Sequence, residues 1–285
     1  MRLPDFICIG AMRSGTTTLW SMLNGCSDIY MPQKKELHFF DHDYDEGLEY
    51  YAAYFEPAGL SQKCGEVTPI YLFMQECRDR LKSVVPNAKL VIILRDPVER
   101  AWSHYCFEVR KGYEDFPFTK ALEVEEDRLA EGGYEEFVNF SYKSRGNYID
   151  QLIHYEKAFS REQMLVIFLE DLKKDPEQVM AKVCSHIGVS YKPEAFDNLT
   201  HKNQTSVFPM SLKLHKYIKT IIRNSVGNSI YLRAIRRLAK IIQKRNLYDS
   251  SPKIPKEAYD NLKNYYLPFD ERLEKWLGYS VPWNK

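Results

Sequence analysis

The chain predicts an α/β protein in which a parallel β-sheet is covered by helices on both faces. Its apolar runs at residues 89–94 and 164–169 are continuous rather than alternating, which is typical of strands buried on both sides. Helical patterns separate these runs, as expected when parallel strands are joined by crossover helices. The length of 285 residues fits one large domain or two small ones, and we expect a single domain over residues 1–285.

The first element is an apolar run at residues 6–10 that leads through a short polar loop into a helical pattern at about residues 14–24. Gly10 and Gly15 have the spacing of the GxxxxGK[ST] loop, although Thr16 takes the lysine position. In this strand–loop–helix order, backbone N–H groups and the helix N-terminus point at one anion. Arg13 can supply the missing charge, so we predict a P-loop-like sheet with a phosphate loop at residues 10–18; an ordinary turn is the alternative.

The second informative segment is residues 31–41, where Lys34 and Lys35 precede Glu36 and aromatic residues follow. Glu36 and His38 are two residues apart, so in an extended segment their side chains point to the same side. Both residue types serve as general bases. The alternative is a solvated glutamate beside a packed histidine.

The strongest buried-strand signal ends in Arg95, which therefore lies at the carboxyl edge of the sheet, where open α/β sheets bind ligands. Asp96 is suited to cap the following helix, and Pro97 to begin it. Ser103 is about two turns into that helix, near enough to share an anion with Arg95. The alternative is an ion pair between Arg95 and a neighbouring carboxylate, Asp96 or Glu99.

Composition and the rest of the chain narrow the class of protein. Residues 111–144 carry many charges and predict an exposed excursion. The six scattered cysteines form no CxxC pair, so we expect a reduced, cytoplasmic protein without disulfides or a zinc site. No apolar run approaches the ~20 residues of a membrane span, and we expect no signal peptide. The net charge of +1 gives no reason to expect a nucleic-acid polymer as partner.

Residues 198–248 differ from the rest of the chain because they contain eleven Lys and Arg residues and no Asp or Glu. Ile218, Ile221 and Ile222 would share one helical face, as would a second apolar set around Leu238. The segment therefore predicts two basic amphipathic helices, separated by a break at residues 227–229. Packing on the body of the protein is one interpretation of their apolar faces; an acidic acceptor and a membrane surface are two others.

Together, these motifs resemble the sulfotransferases that use 3′-phosphoadenosine 5′-phosphosulfate (PAPS), over about residues 4–190. The family's 5′-phosphosulfate loop matches residues 13–18, with Arg13 where a lysine is usual. The arginine and serine of its 3′-phosphate motif match Arg95 and Ser103. Residues 35–41 resemble the corresponding segment in the branch of the family that includes heparan sulfate sulfotransferases and related bacterial enzymes. The segment at residues 65–69 resembles one that often reads Glu-Lys-Thr-Pro, but Val67 replaces the lysine, so a contact from it to donor or acceptor is in doubt.

The resemblance implies transfer of a sulfonate from PAPS to a hydroxyl, or as second choice an amine, without a metal. The acceptor would be a small molecule, glycan, lipid or carrier-bound metabolite, and the basic residues 198–248 would form part of the cover over donor and acceptor. Glu36 would be the catalytic base, with His38 a secondary candidate and Arg13 stabilising the leaving phosphate. The residues implied to bind the donor are Arg13, Ser14, Gly15, Thr16, Thr17, Thr18, Arg95 and Ser103.

Two other functions compete with this one. A P-loop small-molecule kinase would need magnesium and a lysine at the position of Thr16, which argues against it. A non-catalytic nucleotide-binding module would have no use for a base near the loop.

Overall fold

The computed structural model describes residues 1–193, 208–209, 211–224, 230–245, 247–248 and 253–284. The contacts within the chain group it into two compact units. The first unit comprises residues 1–100, 147–202 and 267–285, and the second comprises residues 101–146 and 203–266. The expectation of a single domain over residues 1–285 stays a prediction.

The first unit is organised around a five-stranded parallel sheet with the strand order β2-β3-β1-β4-β5. Its strands are β1 (Phe6–Gly10), β2 (Ile29–Tyr30), β3 (Lys63–Val67), β4 (Lys89–Leu94) and β5 (Met164–Phe168). The central strand β1 lies between β3 and β4, so the chain leaves it to one side and later returns to the other. Such a switch in strand order opens a crevice at the carboxyl ends of the strands.

Helices connect these strands and continue into the second unit. They are α1 (Thr16–Asn24), α2 (Leu48–Ala53), α3 (Gln75–Val84), α4 (Pro97–Lys111), α5 (Phe118–Glu123), α6 (Glu125–Glu131), α7 (Tyr134–Phe140), α8 (Tyr148–Glu156), α9 (Leu169–Lys174), α10 (Pro176–Ile187), α11 (Leu212–Asn224), α12 (Ile230–Arg245) and α13 (Lys256–Leu277). The predicted strand at 89–94 and the start of α4 at Pro97 are confirmed. The first helix begins two residues later than predicted, because Gly15 has a left-handed conformation that the helix cannot include.

Both faces of the sheet are buried, which confirms the predicted α/β class. One face packs against apolar residues of α1, α9 and α10 and contributes Phe6, Cys8, Val67, Val91, Ile93 and Ile167. The alternating residues are also buried, among them Ile7, Ile9, Leu90, Ile92, Leu94 and Val166. Burial of both residue sets explains why the apolar runs of β1, β4 and β5 are continuous.

Residues 111–144 are exposed only in part, most clearly at residues 131–135, although their charges predict an exposed excursion. Glu114 is buried, and Arg128 pairs with it through two contacts of 2.6 and 3.2 Å between guanidinium nitrogens and carboxylate oxygens. The buried Tyr142 hydroxyl donates to the same carboxylate at 3.0 Å. The prediction is wrong for Glu114, because Arg128 and Tyr142 compensate its charge inside the second unit, as a buried carboxylate requires.

The basic segment forms two helices, α11 and α12, in the second unit, as predicted. A short antiparallel pair, β6 (Phe208–Pro209) and β7 (Leu247–Tyr248), flanks them. The predicted break at residues 227–229 and the basic residue Lys202 lie outside the described residues.

Among the helices that the structure describes, none has the length and apolar character required to cross a membrane. All six cysteines are buried and free.

Candidate active site

The phosphate loop follows β1 and aims the N-terminus of α1 at the carboxyl edge of the sheet. Gly15 has a φ of +94°, and a Cβ there would lie 2.5 Å from the Leu169 side chain, so this position requires glycine. No side chain caps α1, and its first turn contains no acidic residue. The backbone N–H groups and positive helix end therefore suit an anion, which is what the 5′-phosphate of a nucleotide donor offers.

The loop's polar side chains differ in exposure. Ser14 and Thr16 are buried, Arg13, Gly15 and Thr18 are partly buried, and Thr17 is exposed. Arg13 adopts a left-handed backbone with a φ of 68°, although it is not glycine. The loop thus offers backbone groups, one cation and an exposed hydroxyl at the same place.

The base loop, residues 35–41, carries Glu36 and His38. Its backbone is not extended as predicted, because both residues have positive φ values, 63° and 59°. The two side chains nevertheless face each other, with 3.7 Å between His38 Nε2 and Glu36 Oε2. On its other side, His38 Nδ1 lies 2.8 Å from Asp41 Oδ2, and Lys35 forms an ion pair with Glu36. Positive and negative groups therefore alternate along a row formed by Lys35, Glu36, His38 and Asp41.

These contacts set the protonation of the row. Burial raises the pKa of the Glu36 carboxyl, but the hydrogen bond with His38 and the charge of Lys35 outweigh it and lower the pKa to about 2. Burial lowers the pKa of His38, whereas Asp41 and Glu36 raise it to about 9. At neutral pH, Glu36 is therefore a carboxylate and His38 an imidazolium.

Backbone hydrogen bonds hold the base loop against the end of β3. The N–H of Glu36 donates to the Val67 carbonyl at 3.2 Å, and the N–H of Leu37 donates to Thr68 Oγ1 at 3.0 Å. Thr68 in turn donates its N–H to the carbonyl of Cys8 on β1 at 3.1 Å. The pKa of Cys8, which burial raises to about 12, is also shifted by the charges of Lys35 and Glu36. The base loop therefore lies close to the strand that leads into the phosphate loop.

A second carboxyl, Glu66, lies beneath this loop and is fully buried. Burial raises its pKa to about 8, although hydrogen bonds with Tyr51 and Tyr71 oppose that shift. The Thr68 hydroxyl approaches the Glu66 carboxyl to 3.5 Å. Glu66 is consequently a neutral acid at neutral pH, and it holds the same Thr68 that anchors Leu37.

Arg95 lies at the end of β4 beside the phosphate loop. Its Nη1 donates to the Arg13 carbonyl at 3.3 Å, and its Nη2 pairs with Glu99 at 3.1 Å. The ion pair that the sequence left as an alternative is therefore present, and the 3′-phosphate role of Arg95 stays a prediction. Asp96 caps α4 by accepting from the N–H groups of Val98 at 2.8 Å and Glu99 at 3.3 Å.

A comparison with models of protein families shows to which family the chain belongs. The model of the sulfotransferase domain matches residues 3–231.

The chain belongs to the sulfotransferase family.

Relatives and a solved structure agree with this membership. The chain is 28% identical over 283 residues to human heparan sulfate glucosamine 3-O-sulfotransferase 3B1, covering 99% of this chain and 65% of the relative. It is 43% identical over 111 residues to the membrane-associated sulfotransferase kil1 of Dictyostelium discoideum, covering 38% and 24%. The crystal structure of a sulfotransferase from Alicyclobacillus acidocaldarius superposes with a TM-score of 0.73 and 25% identity, over 100% of both chains.

The predicted family, its heparan sulfate sulfotransferase-like branch and the P-loop-like fold are thereby confirmed. The chain spans less than two thirds of the length of these sequence relatives. Membership of this family also favours the sulfotransferase interpretation over the P-loop kinase interpretation. The metal-free expectation is untested; within the described residues, no group of three His, Cys, Asp or Glu side chains is arranged to hold a metal ion.

Most predicted site residues of this sulfotransferase meet at one edge of the sheet. The phosphate loop follows β1, Glu36 and His38 are attached at the end of β3, and Arg95 follows β4. Ser103 lies on α4 in the part that belongs to the second unit, so its role stays a prediction. The Val67 side chain packs in the core, and the Val67 carbonyl accepts a hydrogen bond from the N–H of Glu36.

Sequence reasoning missed four residues that contact Glu36, His38 or their loop: Lys35, Asp41, Glu66 and Thr68. The spacing of three between His38 and Asp41 was an available signal, because a turn brings such positions together. Glu66 and Thr68 gave no comparable signal, since their partners are far away in sequence.

Proposed function

We propose that this sulfotransferase transfers a sulfonate from PAPS to an acceptor hydroxyl, with an amine as second choice, and that Glu36 is the base. Two named relatives support the general chemistry, and the human relative's name specifies a 3-O-sulfotransferase of heparan sulfate glucosamine. A glycan is therefore the first acceptor class to test, ahead of lipids and carrier-bound metabolites.

The observation that carries the proposal is the backbone conformation of three residues. Among the described residues, the non-glycine positions with positive φ are Arg13, Glu36 and His38. Such conformations cost about 1–3 kcal/mol each and persist where the surrounding structure enforces them, often at functional sites. That the same three residues were selected from the sequence as catalytic candidates supports a shared role.

PAPS supplies an activated sulfonate. In the transfer, a bond forms between the acceptor oxygen and sulfur, the bond from sulfur to the 5′-phosphate oxygen breaks, and the acceptor proton moves to a Glu36 carboxylate oxygen. Arg13 and the N–H groups at the start of α1 would stabilise the charge that grows on the departing phosphate. A preorganised donor of this kind contributes about 3–4 kcal/mol.

The contacts that keep Glu36 ionised also limit its basicity. A carboxylate with a pKa of about 2 has little affinity for a proton, because Lys35 and His38 stabilise its charge. The acceptor hydroxyl would therefore take the place of one of these partners before its proton moves. His38, held by Asp41, would remain beside Glu36 and orient it.

Arg95 would anchor the donor's 3′-phosphate by exchanging its contact with Glu99 for one with the phosphate. The exchange is favourable in principle, because a phosphate carries more charge than a carboxylate and accepts two parallel hydrogen bonds from a guanidinium. The remaining hydrogen bond from Arg95 to the Arg13 carbonyl would keep it next to the phosphate loop.

Donor recognition is tested by calorimetry with adenosine 3′,5′-diphosphate, AMP and ATP. We expect the diphosphate to bind most tightly, and Arg95→Ala to weaken it by about 10- to 100-fold while affecting AMP little. Arg272→Ala is a matched control, because Arg272 also pairs with an acid, Asp150 at 2.7 Å. Equal affinity of the unmodified protein for AMP and the diphosphate would contradict the donor assignment.

Turnover is tested by mass spectrometry of a panel of glycan, lipid and carrier-bound hydroxyl acceptors incubated with PAPS. A mass increase of one sulfonate on any acceptor supports an enzyme. The absence of product with every acceptor class would favour a non-catalytic module.

The metal requirement is tested by adding EDTA to the same assay. We expect turnover to survive EDTA; strict magnesium dependence would revive the kinase alternative. The cytoplasmic location stays a prediction, which fractionation of cells would check.

A further inference from the structure

Helix α12 has the composition of a helix that lies on a membrane surface. Its 16 residues include six Lys or Arg and no acidic residue. Tyr231, Ile235, Leu238 and Ile242 follow one another at intervals of four, three and four, so they share one face. Arg233, Arg237 and Lys240 have similar spacings on the opposite side.

Within the described part of the chain, this apolar face is exposed. The exposed fractions are 81% for Tyr231, 46% for Ile235, 60% for Leu238 and 40% for Ile242. The neighbouring Ile241 is also exposed, and so are the cations Arg233, Arg237 and Lys240. Packing of this face on the protein, one of the interpretations from sequence, is therefore wrong for α12.

Helix α11 shows what a packed basic helix of the same unit looks like. Its His215 and Ile218 are buried, and His215 Nε2 lies 3.1 Å from the Arg110 carbonyl oxygen. Lys216 forms an ion pair of 3.0 Å with Asp115. The apolar stripe of α12 has no equivalent burial, although both helices are rich in cations.

We propose that α12 docks this protein on an anionic lipid bilayer, with the stripe Tyr231, Ile235, Leu238 and Ile242 inserted at the level of the headgroups. A basic amphipathic helix binds such an interface through its buried apolar area and through attraction to anionic lipid. The Lys and Arg side chains of the opposite face then remain on the headgroup and water side, where anionic lipid attracts them.

A bilayer fits these observations better than an anionic glycan. A polysaccharide would use the cations and gain nothing from four exposed apolar side chains. The helix is about 24 Å long and would lie along the membrane rather than cross its ~30 Å core. This proposal concerns where the protein binds, and it does not depend on the proposed transfer reaction.

The test is co-sedimentation of the full chain with vesicles of phosphatidylcholine, with and without phosphatidylserine. We expect binding to vesicles that contain phosphatidylserine, weaker binding at high salt, and little binding to phosphatidylcholine alone. An apolar-face variant replaces Ile235, Leu238 and Ile242 by serine. A charge variant replaces Arg233, Arg237 and Lys240 by glutamine.

We expect the charge variant to bind about 100-fold more weakly, because each cation near an anionic surface contributes roughly a factor of five. The apolar-face variant loses about 10- to 100-fold, because its buried area is removed. The matched controls are Lys173, Lys174 and Lys182→Gln, which neutralise three exposed lysines on α9 and α10, and Leu60→Ser, which alters a fully exposed leucine. Both controls should bind like the unmodified chain.

Three results would overturn the proposal. The first is vesicle binding that the apolar-face variant retains in full, which would indicate attraction by charge alone. The second is no vesicle binding together with retention on immobilised heparin, which would indicate a glycan. The third is a dimer in sedimentation velocity that the apolar-face variant abolishes, which would assign the stripe to a second copy. Circular dichroism of each variant checks that the fold is retained.

Discussion

Glu36 and Glu66 are two carboxyls attached to the same end of β3, yet they hold opposite protonation states. Glu36 has a pKa of about 2 because His38 and Lys35 surround it with positive charge. Glu66 has a pKa of about 8 because it is fully buried among the hydroxyls of Tyr51 and Tyr71.

The difference shows that the groups around a carboxyl, rather than its residue type, decide whether it is charged. A carboxylate next to an imidazolium and an ammonium can exchange those partners for a substrate hydroxyl. A neutral acid enclosed by tyrosines has no such access, and it instead serves as a fixed support for Thr68 and the base loop. Replacing each carboxyl by an amide of the same shape separates the two roles.

The largest expected effect is that of Glu36→Gln on turnover. Because the amide cannot accept the acceptor's proton, we expect kcat to fall by about 10²- to 10⁴-fold, with binding of adenosine 3′,5′-diphosphate nearly intact. Glu66→Gln is the matched control and should change kcat by only a few-fold, because Glu66 is already neutral at pH 7. An active Glu36→Gln variant together with an inactive His38→Ala variant would show that His38 is the base.

The second effect concerns stability and distinguishes the two carboxyls by sign. The pKa of Glu66 is about 8 in the folded protein against an ordinary 4.5, so folding takes up a proton between these values. Stability from this group is complete below pH 4.5 and is lost as the pH rises to about 8. Glu66→Gln removes that loss, and we expect it to raise the free energy of unfolding at pH 8 by about 2–4 kcal/mol.

Urea unfolding at pH 4 and pH 8 measures this effect. Glu36→Gln should change stability in the other direction, because the folded-state pKa of Glu36 is lowered to about 2. Its stabilising contribution is present above pH 4.5 and is lost as the pH falls towards 2. Equal pH dependence in the Glu66→Gln variant and the unmodified protein would show that Glu66 is ionised in the folded state.

A third prediction concerns the pH–rate profile of His38→Asn. Removal of the imidazolium takes away the largest influence that lowers the pKa of Glu36, so this pKa should rise towards 4.5. We expect the acid limb of the kcat/KM profile to move up by at least one pH unit, into the pH range where rates can be measured. An unchanged acid limb would mean that Glu36 does not control the reaction.

The smallest expected effect is that of Lys35→Met. Lys35 also lowers the pKa of Glu36, but His38 remains, so the acid limb should move less than in His38→Asn. High salt should reduce this shift, because Lys35 and Glu36 are both partly exposed. A shift larger than that of His38→Asn would make Lys35 the main partner of Glu36.

The sequence was sufficient where the signal was local. The continuous apolar runs identified β1 and β4, Gly10 and Gly15 located the phosphate loop, and Asp96 with Pro97 marked the start of α4. The choice of Arg13, Glu36 and His38 as candidates came from local motifs together with the resemblance of those motifs to the sulfotransferases. These features depend on residues within a few positions of one another, and so they are visible without a fold.

Tertiary structure alone decided the features that depend on distant partners. Thr68 holds Leu37 from 31 residues away, and Arg128 neutralises Glu114 from 14 residues away. The left-handed Glu36 likewise donates its N–H to the carbonyl of Val67 on β3, a partner distant in sequence. Sequence determined which residues could perform the chemistry, because residue types and local spacings carry that information. The fold determined which carboxyl is charged and which helix face is left uncovered, because burial and charge pairing exist only after distant segments have met.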